Sequence, residues 1–195
     1  MRSDAPPLAP TFRSRTQGDL LALLLLHPHV EWTISDIARR LDVPLTTVQS
    51  EVHRLVSNGI LTSRKVGRAR LVQPNLDHPA VPPLTQLTLV TFGPQFVVAE
   101  EFANLGAQLV LVFGSWAARY HGEQGATPGD IDVLVVGDHV SRKAMYAAAE
   151  QTERRICIPV NPVLRKTAAW FEPNGDSLLL DIKAGPIVEV VGRLG

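Results

Sequence analysis

Apolar residues follow two rhythms in this chain, a helical one up to about residue 57 and a strand-like one from residue 109 onward. From Gln17 to His27, Leu20, Leu21, Leu23, Leu24, Leu25 and Leu26 form an apolar run that predicts a buried helix. It is too short to span a bilayer and stops at His27-Pro28. Ile34, Ile37, Ala38 and Leu41 recur at helical spacing, predicting a second helix capped by Thr33 or Ser35 and closed by the turn Asp42-Val43-Pro44. A third helix is expected from Leu45 to about Ser57, with Leu45, Val48, Val52, Leu55 and Val56 inward and Asn58-Gly59 as a left-handed C-cap. Ile60 to Val72 then reads as a hairpin turning at Val66-Gly67-Arg68.

The prolines from Pro74 to Pro83 predict a stiff connector, followed by helix from Leu84 to about Ala103 with an interruption near Gly93-Pro94. Leu109 to Phe113 is short, apolar and β-branched, which predicts a buried strand. Gly114 ends it, and Ser115 is expected to cap a helix from Trp116 to about Tyr120. A glycine-rich loop carrying Gly122, Gly125, Pro128 and Gly129 leads to a strand in which Asp130, Asp132, Leu134 and Val136 share one face. A helix from about Ser141 to Arg155, a strand from Ile156 to Val163 and a last strand from Ile187 to Val191 complete the expectation.

The chain has 195 residues, enough for two cores, and its net charge is zero. That zero hides an asymmetry. Residues 1 to 80 carry ten Lys/Arg against seven Asp/Glu, and the excess gathers in Arg64, Lys65, Arg68 and Arg70 of the hairpin. Thr46, Thr47, Gln49, Ser50, His53 and Arg54 form the outward side of the third helix, small or hydrogen-bonding as a major-groove surface requires. This arrangement resembles the winged helix-turn-helix domain of ArsR- and MarR-type regulators over about residues 16–76. The resemblance implies that the third helix reads duplex DNA, with the hairpin as a wing on the phosphates.

The candidate chemistry lies further along. A strand-to-helix turn at Gly114-Ser115 precedes the pair Asp130 and Asp132, and two hard anionic ligands suit Mg²⁺ while backbone N–H groups at a helix start suit phosphate. In this order the motifs resemble the nucleotidyltransferase superfamily that includes DNA polymerase β, above all its small bacterial members. The resemblance implies a nucleoside triphosphate and magnesium, with Gly114, Ser115 and Arg119 on the nucleotide and Asp130 and Asp132 on the metal. It also calls for a third carboxylate on a neighbouring strand. Strand order puts Asn161 there, and an amide cannot take a proton as a carboxylate does. Glu189 is a weaker stand-in, and Trp116 is expected in the core rather than stacked on a base.

The expected fold class is therefore α+β, with an N-terminal arm over residues 1–15, a winged helix-turn-helix over 16–76, a connector with a linker helix over 77–105 and a nucleotidyltransferase-like mixed sheet over 106–195. The expected role is a cytoplasmic transcriptional regulator, a homodimer on double-stranded DNA, with a nucleotide-binding domain of doubtful catalytic power. Two rival readings follow from the same resemblance: an active nucleotidyltransferase acting on a small molecule or protein hydroxyl, and an antitoxin paired with a toxin. Cys157 is the single cysteine, so no intrachain disulfide forms, and it is expected in a strand core. No signal-peptide pattern opens the chain and no membrane partner is expected.

Overall fold

Helix α1 (Arg15–Leu25) begins two residues earlier than the leucine run suggests, because the Ser14 hydroxyl accepts the Gln17 N–H at 3.2 Å and supplies the N-cap. The computed structural model describes residues 12–193, so residues 1–11 of the expected N-terminal arm lie outside the described residues. Leu20, Leu21, Leu23, Leu24 and Leu25 are buried. Each such side chain contributes on the order of 2 kcal/mol by leaving water, several times what helix propensity offers, so packing holds α1. A two-residue strand β1 (Trp32–Thr33), which the sequence pattern did not suggest, leads into α2 (Ile34–Leu41). Thr33 both accepts the Asp36 N–H at 3.0 Å and donates its hydroxyl to the Asp36 carboxylate at 2.7 Å, which settles the cap on Thr33.

Helix α3 (Leu45–Ser57) buries Val48, Val52 and Leu55, and half-buries Val56. Leu45, expected inward, is 43% exposed: it is the first helical residue and precedes the turn that meets the core. The helix ends in a Schellman motif, with Gly59 N–H bonded to the Val56 carbonyl and Ile60 N–H to that of Leu55, each at 3.0 Å. β2 (Leu61–Val66) and β3 (Ala69–Pro74) form the hairpin, closed by the two-residue loop Gly67-Arg68, and the sheet order is β1-β3-β2.

Helix α4 (Val81–Phe92) takes Pro82 and Pro83 into its first turn, where the missing N–H groups cost nothing. Those two prolines are therefore helix-starting rather than connector residues. Phe92 meets the Phe12 ring edge-on at 5.0 Å and lies over Gly18, where a Cβ would come within 2.1 Å of it. The described residues divide into two compact units at Gly93-Pro94, later than the Pro74–Pro83 stretch.

In the second unit, α5 (Pro94–Phe102) precedes a four-stranded mixed sheet of order β6-β5-β4-β7, and the protein as a whole is α+β. The strands are β4 (Leu109–Phe113), β5 (Ile131–Val136), β6 (Val160–Arg165) and β7 (Val188–Gly192). β4 runs antiparallel to β5 and β7, whereas β6 runs parallel to β5. Leu109, Leu111, Leu134 and Val136 pack on Trp170, Leu179 and Ile182 of the two short helices α8 (Thr167–Phe171) and α9 (Ser177–Ala184). Val110, Val112, Val133 and Val135 are buried on the opposite face. Both faces are covered, hence the near-continuous apolar strands.

The parallel pair is bracketed by bonds from Ile131 N–H to the Pro159 carbonyl at 2.9 Å and from Gly137 N–H to that of Arg165 at 3.0 Å. Odd-numbered residues of β6 thus face β5, and the Val160 N–H turns away from it, to the Glu153 carboxylate at 2.8 Å. Pro162 occupies the next position facing away. Helix α7 (Arg142–Ile156) precedes β6, and Cys157 is its exposed C-cap at φ 58°, not a strand residue. Among the described residues no helix is long and apolar enough to cross a membrane.

Candidate functional site

Two sets of polar side chains stand out, one in each unit. On α3, Thr46, Thr47, Gln49, Ser50 and His53 are all exposed, as the outward face requires. Glu51, the one acid on this helix, is withdrawn: its side chain is 6% exposed and forms ion pairs with Arg13 and Arg54, which are 64% and 34% exposed. The surface of α3 therefore presents donors and cations without a competing carboxylate.

The hairpin cations are not equivalent. Arg64 Nε donates to Glu31 at 2.7 Å, and this hydrogen bond holds the Glu31 carboxyl below the usual carboxylate range. Arg70 donates to the Ser63 hydroxyl at 2.9 Å. Lys65 and Arg68 are exposed at the tip and form no ion pair among the described residues. Sequence spacing could not show this, because Glu31 and Arg64 are far apart in the chain, whereas the i,i+3 pair of Glu51 and Arg54 was visible.

In the second unit, Asp130 precedes β5, and Asp132, half-buried, is its second residue. Register places Asp132 beside Phe113 of β4 and Asn161 of β6. The Asn161 amide donates to Asp130 at 2.9 Å and to Asp132 at 3.4 Å, so the three side chains expected together do converge. Burial pushes the Asp132 carboxyl above its ordinary range, the Asn161 N–H opposes this, and the Asp130 charge adds to it. Gly114 adopts φ +70°, and a Cβ there would stand 2.9 Å from the Asp132 carboxylate, so only glycine allows the turn to approach so closely.

Ser115 does not cap the helix. Helix α6 (Gly114–Tyr120) starts two residues before the expected Trp116, with Phe113 as N-cap and no side-chain cap bond, which leaves the exposed Ser115 hydroxyl outside any capping role. Arg119 lies under the glycine-rich loop, with its Nε buried and unbonded and Gly125 directly over its guanidinium. Trp116 is fully buried, as expected of a core residue. Glu189 is paired with Arg193 at 3.5 Å and stands opposite Leu111 in mid-strand, so it does not supply a third carboxylate at the Asp132 end of the sheet.

Helix α9, which the sequence pattern did not suggest, contributes a further feature. Phe113, Gly114, Leu178, Ile182 and Pro186 line a hollow of about 160 Å³. This is roughly half the smallest site that takes a drug-sized ligand, so it admits one ring system rather than a whole nucleotide. Phe113 lies on the sheet face that carries Asp132, and Gly114 borders both the hollow and that carboxylate.

The donor set is compatible with magnesium. Among the described residues no three His, Cys, Asp or Glu side chains converge into a closed cage. Magnesium needs only one or two carboxylates when phosphate and water complete its shell, and Asp130 and Asp132 meet that requirement. Asn161 would have to turn its amide over to offer oxygen in place of N–H.

The sequence matches no protein-family model and no curated protein. Among solved structures, part of the chain is similar to Bordetella bronchiseptica BpsR, described for the regulation of its DNA binding by 6-hydroxynicotinic acid. The match has 20% identity and a TM-score of 0.30, and covers 39% of this chain and 64% of that chain, less than two thirds of its length. A likeness this loose does not establish a shared fold.

Proposed function

We propose that this protein is a DNA-binding transcriptional regulator, acting as a homodimer, whose C-terminal unit binds a nucleotide. The observation that carries the first half is the acid-free outward face of α3, next to a hairpin tipped by Lys65 and Arg68. Such a face offers bases hydrogen-bond partners while the tip releases counterions from the phosphates. Binding of a labelled duplex from the protein's own promoter region tests it. The Arg68→Ala variant should bind specific and random duplexes more weakly alike, with a salt slope shallower by about 0.9, whereas Gln49→Ala should change the sequence preference. Absence of binding at low salt overturns the reading.

For the second unit, the convergence of Gly114, Asp132, Asp130 and Asn161 supports a site for the phosphates of a nucleoside triphosphate. Asp130 and Asp132 would hold Mg²⁺, which when bound neutralises phosphate charge. The apolar hollow beside Gly114 would take a ring of the ligand. Asn161 separates binding from turnover, since it donates to both carboxylates and cannot accept a proton from an attacking hydroxyl. Titration with each labelled nucleoside triphosphate and Mg²⁺ should show binding that Asp132→Asn removes and no pyrophosphate release. Release that Asn161→Ala leaves undiminished would make the protein a nucleotidyltransferase instead.

A further inference from the structure

Glu51 is an acid in an unexpected place, in the middle of the helix whose surface is otherwise suited to an anion. Its surroundings give it a use. The carboxylate is almost wholly buried, and each oxygen holds one guanidinium: Arg13 on one side and Arg54 on the other. The acid is inside and the cations are outside, so an approaching anion meets two guanidinium groups with the carboxylate behind them. Two positive charges on one negative leave a net charge of plus one. Each guanidinium carries five N–H donors, and one carboxylate oxygen cannot occupy them all.

Arg13 is not a free arm residue. Its backbone N–H donates to the Gln17 side chain at 3.0 Å, and the preceding Phe12 is packed edge-on against Phe92. Arg54 lies next to His53 and one turn after Ser50 on α3, and its ion pair with Glu51 places it at the margin of that outward surface, with Arg13 on the same carboxylate. Fixing both side chains before binding removes rotational freedom that two loose arginines would lose on contact.

We propose that Arg13 and Arg54, set side by side on the buried Glu51 carboxylate, form a clamp for a backbone phosphate of duplex DNA at the flank of α3. This rests on the DNA-binding reading above. It adds Arg13 as a contact and Glu51 as a positioning residue. The clamp reads no sequence; it fixes how the helix sits on the duplex.

The charge sign of Glu51 makes the idea testable. If Glu51 only neutralised its neighbours, Glu51→Gln would tighten DNA binding by removing a negative charge. As a positioning residue it should do the reverse, weakening binding several-fold although the protein becomes more positive. Full-length protein is titrated against its own promoter duplex and a random duplex of equal length over a range of salt, with thermal melting to confirm folding.

Arg13→Ala should weaken both duplexes equally, by up to about tenfold, and lower the salt slope by about 0.9, the value of one phosphate contact. Arg15→Ala, which removes the same charge from a residue paired with Asp19 at 3.7 Å, should change little. Arg13→Ala indistinguishable from Arg15→Ala overturns the clamp, as does tighter binding by a folded Glu51→Gln protein. Should Glu51→Gln not fold, the Arg13 and Arg15 comparison decides alone. Unaltered protein that binds neither duplex removes the DNA-binding reading itself, whereas binding that Arg13→Ala leaves intact removes only the clamp.

Discussion

Asp132 is held where its charge is poorly solvated and close to a second carboxylate, an arrangement that weakens the fold. Its folded pKa is raised, so the native state keeps a proton that the unfolded chain has already released. Stability therefore falls as pH rises from the ordinary carboxylate range through the raised value. Asp132→Asn should melt at a higher temperature than the unaltered protein at neutral pH without Mg²⁺. The gain should fade as pH drops through the raised pKa and vanish below the ordinary carboxylate range. Thermal melts at several pH values check this, and an advantage that persists in acid would mean that burial of Asp132 is not the cause. Such a cost at one residue is characteristic of ligand sites, where the missing compensation comes with the ligand. The same local view shows what could be read in advance. Asn161 was placed by strand order alone, and register then put it beside Asp132. Cys157 was misread because an apolar run Ile-Cys-Ile does not reveal a left-handed C-cap, which here closes α7 through the Cys157 N–H on the Glu153 carbonyl at 2.8 Å.

At the scale of elements, the turn-linked pair α2 and α3 depends on a few local bonds. Thr33 ties β1 to α2 through its reciprocal bonds with Asp36. Val43 N–H closes the end of α2 on the Ala38 carbonyl at 3.1 Å, with Asp42 at φ 51° making the turn. Thr33→Ala should cost about 1 kcal/mol of stability, seen as a lower denaturant midpoint with an unchanged slope. Thr33→Ser should restore most of it. An unchanged midpoint in Thr33→Ala would mean that the cap is replaced by water at no cost. These elements were legible because caps and apolar spacing are local signals. Helices α8 and α9 were not. Residues 167–184 mix Trp170, Phe171 and the Leu178 to Leu180 run with Pro173, Gly175 and charges, and beyond the Asp176 cap on the Leu179 N–H at 3.2 Å the two helices are held by packing on the face of β4 and β5. The hollow beside Gly114 was hidden with them.

For the whole molecule, two separate cores imply two separate melting events. Trp32 is the only tryptophan before Gly93, and Trp116 and Trp170 belong to the second unit. Calorimetry should resolve two transitions. Nucleotide with Mg²⁺ should raise one, and duplex DNA the other, each by the mass action of a ligand that binds only folded protein. Trp32→Phe should remove the fluorescence change that accompanies the DNA-sensitive transition. A single transition that both ligands raise together would show that the units unfold as one body.

The outer rim of β6 has a consequence for how copies of this chain can associate. A sheet margin with free N–H groups invites another strand to join it, and a unit that polymerised through its sheet would be lost from solution. Here the Val160 N–H is taken by Glu153, and Pro162 has none to give. The margin is thus blunted twice in three residues, which directs self-association of this unit away from strand addition at β6 and toward side-chain surfaces. Loosening both protections, with Glu153→Ala and Pro162→Val, should let copies join edge to edge through β6, seen as a rise in mass by light scattering that the unaltered protein does not show.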